Sequence, residues 1–379
     1  MASSALLTID TAPEYVRTAG VLGDASSATE ISGGNLNYAF EVSNGTRSVF
    51  LKQTPGYVKV LGPEAKISDE RLDLERSTYA EWASAIDDAP ASACLPDVLH
   101  FDSARKVMIM EFLGSSVLLH ERLMAGHADE GAAEALGAFL GVAHARTHST
   151  HVPAERSAAL TTAFANAELR GLQLEYVFSK CYREAERAAA LREDAAFMAE
   201  VETLKAAYRG ETPTNLALCH GDLHAGSVML DAATGIVKVI DPEFAIYGPP
   251  GVDLGCLLSS YLLAAVYRAA EGADADVNRL RAAAAAVWRA YKEKAGGILS
   301  EATCAAVAAD AAGFAGCELA RTALGFAGVR GLPMEDAEAK LKAEATALAI
   351  AERCIRGRAG GVEAVLSEMD KLCGSDGVV

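Results

Sequence analysis

The stretch "VKVIDPEF" ends an apolar run with two carboxylates, Asp241 and Glu243, two positions apart. On an extended chain residues i and i+2 project to one face, so both acids can converge on a single point. A hard divalent cation such as Mg2+ takes carboxylate and phosphate oxygens together, which makes the pair a candidate metal site. Two solvated acids at a strand end would show the same pattern. Asp222 lies 19 residues earlier, in "CHGDLHAGS", where Gly221 and Gly226 point to a tight loop rather than a helix. A carboxylate there can accept a proton from a hydroxyl, or orient it. His220 and His224 are four apart, a spacing that suits zinc on a helix face. The glycines speak against a helix, and no third ligand follows at a zinc spacing.

A second group precedes these. "SGGNLNYAF" holds Gly33, Gly34 and Asn35 between two strand-like runs, and Lys52 follows in "VFLKQT". Glycines let a backbone fold over phosphates, and a lysine on a neighbouring strand supplies a point charge. Any hairpin can be rich in Gly and Asn, and a strand lysine can also guard a sheet edge. Glu75, in the next helical segment, has the position to pair with Lys52, although a solvated helix face would carry it equally well. What separates the readings is order. Gly-rich turn, strand lysine, helix glutamate, hinge, loop aspartate and metal carboxylates follow one another as in a kinase-like phosphotransferase.

The elements that must position these residues divide the chain. "ATEISGGNLNYAFEVSNGTRSVFLKQT" reads as three strands, with Asn44-Gly45 as a type I′ hairpin signal. "SDERLDLERSTYAEWASAI" has helical spacing with Ser68 as its N-cap, and "KVMIMEFLG" is a buried strand leading to a hinge at Glu111 to Ser115. Beyond it come Ala-rich, proline-free segments at 130–148, 158–210, 253–272, 277–296, 301–326 and 336–358, which predict helices. Residues 217–247 interrupt them with a second hairpin, "SVML" and "VKVI" around "DAATG". The expectation is an α+β, bilobal molecule: a small β-rich nucleotide-binding lobe over 1–112, and a large helical lobe over 113–379 that carries the catalytic loop and metal hairpin. Asp253 opens the helix after the metal motif as an N-cap that also braces the loop. His144 and His148 read as packing residues.

Composition narrows the classes. Of 379 residues 51% are hydrophobic and 22% charged, a globular balance. A net charge of -17 and a pI near 5.0 lack the basic footprint of a nucleic-acid surface. Eight cysteines without CxxC spacing fit reduced, buried thiols of a cytoplasmic protein. The N-terminal segment does not read as a signal peptide, and the apolar run Leu254 to Tyr267 is too short to span a bilayer, so no membrane partner is expected.

"HGDLHAGS" followed by "VIDPEFAIYGPPGVDLG" resembles the aminoglycoside phosphotransferase and choline kinase superfamily, which shares the protein-kinase-like fold. Within it the chain looks like the methylthioribose kinases. Ser227 stands where most of the superfamily has asparagine, the metal motif is "DPE", and "GGNLNYAFEV", "LKQTPGYVKVLG" and "FAGCELARTALGFAGV" match that family's patterns from about residue 30 to 345. The resemblance implies ATP and Mg2+ as cofactors, a small-molecule sugar as partner, and a homodimer. It implies that Gly33, Gly34, Asn35 and Asn37 cover the ATP phosphates and that Lys52 contacts them. Glu111, Phe112 and Leu113 would meet adenine through the backbone. Asp222 would orient or deprotonate the anomeric hydroxyl, while Asp241 and Glu243, flanking Pro242, would hold magnesium. Arg321 would meet the sugar and the incoming phosphoryl charge, with Glu75, His220, Ser227 and Asp253 in support. The product would be a sugar 1-phosphate of methionine salvage. One departure is Ala320, where the family usually has the first of two adjacent arginines. Alternatives are a kinase for choline, homoserine or an aminoglycoside, and a nucleotide-binding pseudokinase.

Overall fold

The computed structural model describes residues 5–373, so residues 1–4 and 374–379 of the two expected lobes lie outside the described part. Five antiparallel strands form the front sheet in the order β1-β2-β3-β5-β4: β1 Ser27–Glu30, β2 Tyr38–Ser43, β3 Ser48–Gln53, β4 Val98–Asp102 and β5 Val107–Glu111. Period-two alternation splits their side chains between two faces. Phe40, Val42, Val49, Leu51, Val107 and Ile109 pack on one face against α1, Ala12–Thr18, a helix the sequence reading did not anticipate. Lys52, opposite Met108 in register, faces the other side, toward α2, Arg71–Ala85.

The turn after β2 differs from the expected two-residue hairpin. Residues 44–47 form a four-residue loop in which only Gly45 has positive φ, and Asn44 Oδ1 accepts from the N–H groups of Thr46 and Arg47. The asparagine acts through its side chain, an Asx turn, rather than through a left-handed backbone. Ser68 likewise does not cap α2. Its hydroxyl accepts from Glu70 N, and the helix opens at Arg71.

Helix α2 belongs to both lobes. Its inward stripe of Arg71, Leu72, Glu75, Thr78, Tyr79 and Trp82 follows the 3.6-residue repeat. Leu72, Tyr79 and Trp82 join the large core of the helical lobe, where Trp82 meets Phe139 edge-on at 5.3 Å. Each such side chain contributes about 1.5–3 kcal/mol on burial. That anchorage is what fixes Glu75 and Arg71 in place.

The helical lobe is built from the helices Glu130–Thr147, Gly251–Ala270, Asp274–Gly296, Glu301–Ala323 and Ala337–Arg356, close to the expected ranges. Their small residues permit close contact: a Cβ at Gly137 would stand 2.1 Å from Val287 O on the facing helix. The 158–210 segment is not one helix. It breaks at Asn166, held left-handed at φ 41°, and again near Ala185, and it carries a π-helical turn at Tyr176–Lys180. A further helix, Val362–Asp370, was not expected. The 20-residue helix Gly251–Ala270 is longer than its apolar core suggested, long and apolar enough to cross a membrane, but most of it is buried inside the protein. All eight cysteines are free, and seven are buried.

Candidate active site

Two short antiparallel ladders bring the chemistry together. One pairs β7, Ala217–Cys219, with β10, Ile246–Gly248; the other pairs β6, Val117–Leu118, with β8, Val228–Leu230, and β8 with β9, Val237–Val239. Asp222 follows β7, and Asp241 follows β9. The two loops touch through backbone: a Cβ at Gly221, which has φ +83°, would lie 2.0 Å from Phe244 O. Only glycine fits that conformation and that contact.

Asp253 fixes the loop from beneath. It is fully buried in the first turn of Gly251–Ala270, two residues past the helix start rather than at the cap. Its two oxygens accept from His220 N at 2.7 Å and Gly221 N at 2.9 Å, and His144 Nε2 lies 3.1 Å away. His220 Nε2 donates to Ile240 O at 2.9 Å, leaving Nδ1 to accept from Asp222 N at 3.3 Å. One imidazole thus spans both loops. Ser227 Oγ donates to the Asp222 carbonyl at 3.1 Å.

At the Asp241 end, Lys52 Nζ meets Glu75 Oε2 at 2.6 Å and also contacts Asp241 Oδ1. Burial alone would lower the Lys52 pKa, but Asp241, Glu75 and Glu243 outweigh it and raise it above the ordinary lysine value. Burial pushes Glu75 up to about 8, against the pull of Lys52. Burial and Asp241 raise Glu243, whereas for Asp241 the lysine overcomes burial and holds the carboxyl below its usual range. Asp241 sits in the left-handed region, φ 66° and ψ 44°, a conformation that costs a non-glycine residue about 1 kcal/mol. Tyr79 OH accepts from Asp241 N at 3.2 Å, and Asn166 Nδ2 donates to the carbonyls of Glu243 and Ala245.

The donor set fits a hard cation. Oxygens of Glu75, Asp241 and Glu243 lie within 4.8 Å of one another. Glu243 Oε2 is taken by Arg71 Nε and Asn37 Nδ2, both at 3.1 Å. Asp241 Oδ2 and Glu243 Oε1 accept no hydrogen bond from any described residue, which leaves one carboxylate oxygen of each for an ion.

The remaining expected nucleotide residues spread around this end. Gly33, at φ 107°, Gly34 and Asn35 are exposed, and Asn35 O accepts from Val60 N at 3.1 Å. Asn37 is buried and belongs to the Glu243 network, with Oδ1 accepting from Thr54 Oγ1 and Arg71 Nη2. Pro242 begins a short 3-10 turn between the two acids. Glu111 ends β5, its carboxylate held by Asp97 N and Lys238 Nζ, both at 3.0 Å; Phe112 and Leu113, expected as the hinge, follow it half-buried.

Around Asp222 the partners differ. Arg330 Nη1 stands 3.3 Å from Oδ1, and His224 Nε2 3.7 Å from Oδ2. Burial would raise the Asp222 pKa, but Arg330, His224 and His220 hold it below the usual range. Burial and Arg330 lower His224 to about 4, so it is neutral near pH 7. Arg321 does not contact Asp222. It is buried in Glu301–Ala323 and donates through Nη1 to Gln173 Oε1 at 3.2 Å; Nη2 lies 3.0 Å from Glu318 Oε2 as an ion pair without hydrogen-bond geometry, and Nε has no hydrogen-bond partner.

Against this geometry the likenesses can be placed. The phosphotransferase enzyme family model matches residues 27–294. The methylthioribose kinase of Exiguobacterium sibiricum is 30% identical over 376 residues, covering 93% of each chain. The chain belongs to the phosphotransferase enzyme family. The methylthioribose kinase of Yersinia pseudotuberculosis is 29% identical, over 91% of this chain and 90% of that relative. The fold is shared with a choline/ethanolamine kinase family protein of Mesorhizobium loti, at TM-score 0.52 and 17% identity, over 94% of this chain and 99% of that one. A Plasmodium vivax ethanolamine kinase aligns at TM-score 0.53 and 13% identity, over 94% and 93%. The protein is an ATP-dependent phosphotransferase with a small-molecule acceptor and the protein-kinase-like, α+β architecture expected from its motifs.

Three charged residues at this phosphotransferase site were not singled out from sequence: Arg71, Glu318 and Arg330. Arg71 carried a signal, because it lies one helical turn before Glu75 on the buried stripe of α2. Glu318 lies three residues before Arg321, on the same helix face. Arg330 carried none; it sits 108 residues from Asp222 in a glycine-rich connection.

Proposed function

We propose that this phosphotransferase moves the γ-phosphoryl group of ATP to the 1-hydroxyl of 5-methylthioribose, giving the 1-phosphate and ADP within methionine salvage. The observation that carries the substrate is the likeness to methylthioribose kinases along 93% of the chain, since the superfamily fold alone is common to many acceptors.

The roles follow from what each group can do where it lies. Asp222, braced through Asp253 and His220, orients the acceptor hydroxyl and takes its proton as the new O–P bond forms and the β–γ bridging bond breaks. Its lowered pKa suits an orienting carboxylate that stays ionised until the hydroxyl proton is released. Lys52, fixed by Glu75, contacts the phosphates. Gly33, Gly34 and Asn35 cover them from above. Asp241 and Glu243 would hold Mg2+, which when bound neutralises phosphate charge. Arg321, buried with an unpartnered Nε, faces the acceptor side and supplies the cation that Ala320 does not. The hinge at Glu111, Phe112 and Leu113 presents backbone to adenine, and we place the division between nucleotide and acceptor lobes at residue 112. The resemblance further supports a cytoplasmic homodimer, which light scattering of the purified chain tests.

The deciding experiment is ADP release with methylthioribose, choline, homoserine and an aminoglycoside as acceptors, with and without Mg2+. Turnover with methylthioribose, dependent on the metal, is expected. Turnover with one of the others and none with methylthioribose overturns the substrate.

A further inference from the structure

A small cavity lies beside the catalytic loop, walled by the hydroxyls of Ser259, Ser260 and Thr322, the imidazoles of His120 and His224, the Leu263 side chain, Glu318 and Arg330; His224 and Arg330 connect it to Asp222. Two of these side chains are charged, and with opposite signs. Carboxylate oxygens of Asp222 and Glu318 lie within 4.8 Å of each other, a proximity that buried like charges resist unless cations intervene. Arg330 sits on Asp222 at 3.3 Å and Arg321 on Glu318 at 3.0 Å. The acceptor side therefore sets two guanidiniums against at most two ionised carboxylates, with no carboxylate left over, and its other polar walls are hydroxyls and imidazoles.

That balance selects an acceptor chemistry. An ammonium group is held by carboxylates left without a partner; here it would approach guanidiniums and have to displace one of them. An uncharged polyol has no such conflict. Its O–H groups can donate to Glu318 and its oxygens accept from Arg330, the first of which is buried and the second held by Asp222. Glu318 is suited to the part: it is 8% exposed, carried on the helix Glu301–Ala323, and has the Arg321 guanidinium 3.0 Å away. We propose that Glu318 and Arg330 bind the hydroxyl groups of the acceptor, and that Arg330 is the residue that restricts the site to uncharged polyols.

This inference rests on the sugar-kinase reading above and adds its specificity residues. The test compares wild type with Arg330→Met and Arg330→Lys, using the sugar that the wild type turns over. Arg330→Met is expected to raise the acceptor KM by about tenfold or more while the ATP KM stays within about twofold, with Arg330→Lys recovering part of the loss. Equal thermal stabilisation of all three proteins by ADP establishes that they are folded. A second arm needs no turnover: ethanolamine, titrated into the ADP-bound proteins by calorimetry, is expected to bind Arg330→Met and not wild type. An unchanged acceptor KM, a matching rise in ATP KM, or equal ethanolamine binding by wild type and variant overturns the proposal. A wild type that phosphorylates no sugar sinks the functional reading itself, and the calorimetric arm then still decides what Arg330 excludes.

Discussion

The two ends of the site are charged differently. At the metal end two cations, Lys52 and Arg71, face three carboxylates, Glu75, Asp241 and Glu243. On the acceptor side Arg321 and Arg330 face Asp222 and Glu318, two against two. The first cluster has more carboxylates than cations and oxygens without donors, which is what the proposed cation needs. The second has no carboxylate without a facing guanidinium, which is what the proposed neutral acceptor needs. One chain thus builds two ion networks with different charge counts, and the difference lies in one additional carboxylate rather than in residue type.

The sharpest way to break this contrast is to remove one acid from each end. Asp222→Asn should lower kcat by a factor of about 10² to 10⁴ with nucleotide affinity retained, as expected for a group that meets only the acceptor hydroxyl. Asp241→Asn should weaken Mg2+-dependent nucleotide binding as well as turnover. Isothermal titration with ADP and Mg2+ separates the two, and comparable losses of nucleotide affinity in both variants would merge the ends into one network.

Removing a cation from each end should destabilise them unequally. Arg71→Met leaves Glu243 buried with Asn37 as its remaining partner, and breaking a buried pair in this way costs about 3–5 kcal/mol. Arg321→Met should cost less, because Glu318 can escape by protonation: burial already raises its pKa to about 7. Urea denaturation at pH 7 gives both values. An Arg321→Met loss as large as that of Arg71→Met would deny the acceptor end this escape.

The proton on Glu318 also has a stability signature. Its folded-state pKa lies above the 4.5 of a free glutamate, so the native state holds that proton more tightly than the unfolded chain. The resulting stability is complete below pH 4.5 and is lost as pH rises through about 7. The wild-type Tm, measured relative to Glu318→Gln, should therefore fall across that window and level off above it. A flat difference would mean that Glu318 is ionised throughout.

The same contrast governs what could be read from the sequence. Lys52, Glu75, Asp222, Asp241 and Glu243 stand beside recognisable turns, strands and hydrophobic runs, so local pattern and order reveal them. Asp253 was read as bracing the loop, although it does so from within the helix and not from its cap. Arg71 was half-legible, a charge on an inward stripe, but its partner Glu243 is 172 residues away. Arg330 depends on how the Gly-rich connection after Glu301–Ala323 returns to the catalytic loop, which no local periodicity encodes. Helix α1 is hard to read because seven residues with a proline in the first turn carry too little periodicity, and its role appears only once the outer face of the sheet needs covering.

The smallest effect concerns Ser227, which the resemblance places where relatives have a metal-binding asparagine. In the structure its hydroxyl donates to the Asp222 carbonyl at 3.1 Å and is buried, so it shapes the loop that aims Asp222. A hydrogen bond of this kind contributes about 0.5–1.5 kcal/mol. Ser227→Ala should then lower kcat by roughly three- to tenfold, by letting Asp222 drift, with the Mg2+ dependence of the rate unchanged. If the serine instead completes the cation site, the variant will need more Mg2+ for half-maximal activity and its kcat at saturating metal will return to the wild-type value. The first result assigns Ser227 to the acceptor end and leaves the unpartnered oxygens of Asp241 and Glu243 as the proposed hold on the ion; the second moves the boundary between the ends into the catalytic loop itself.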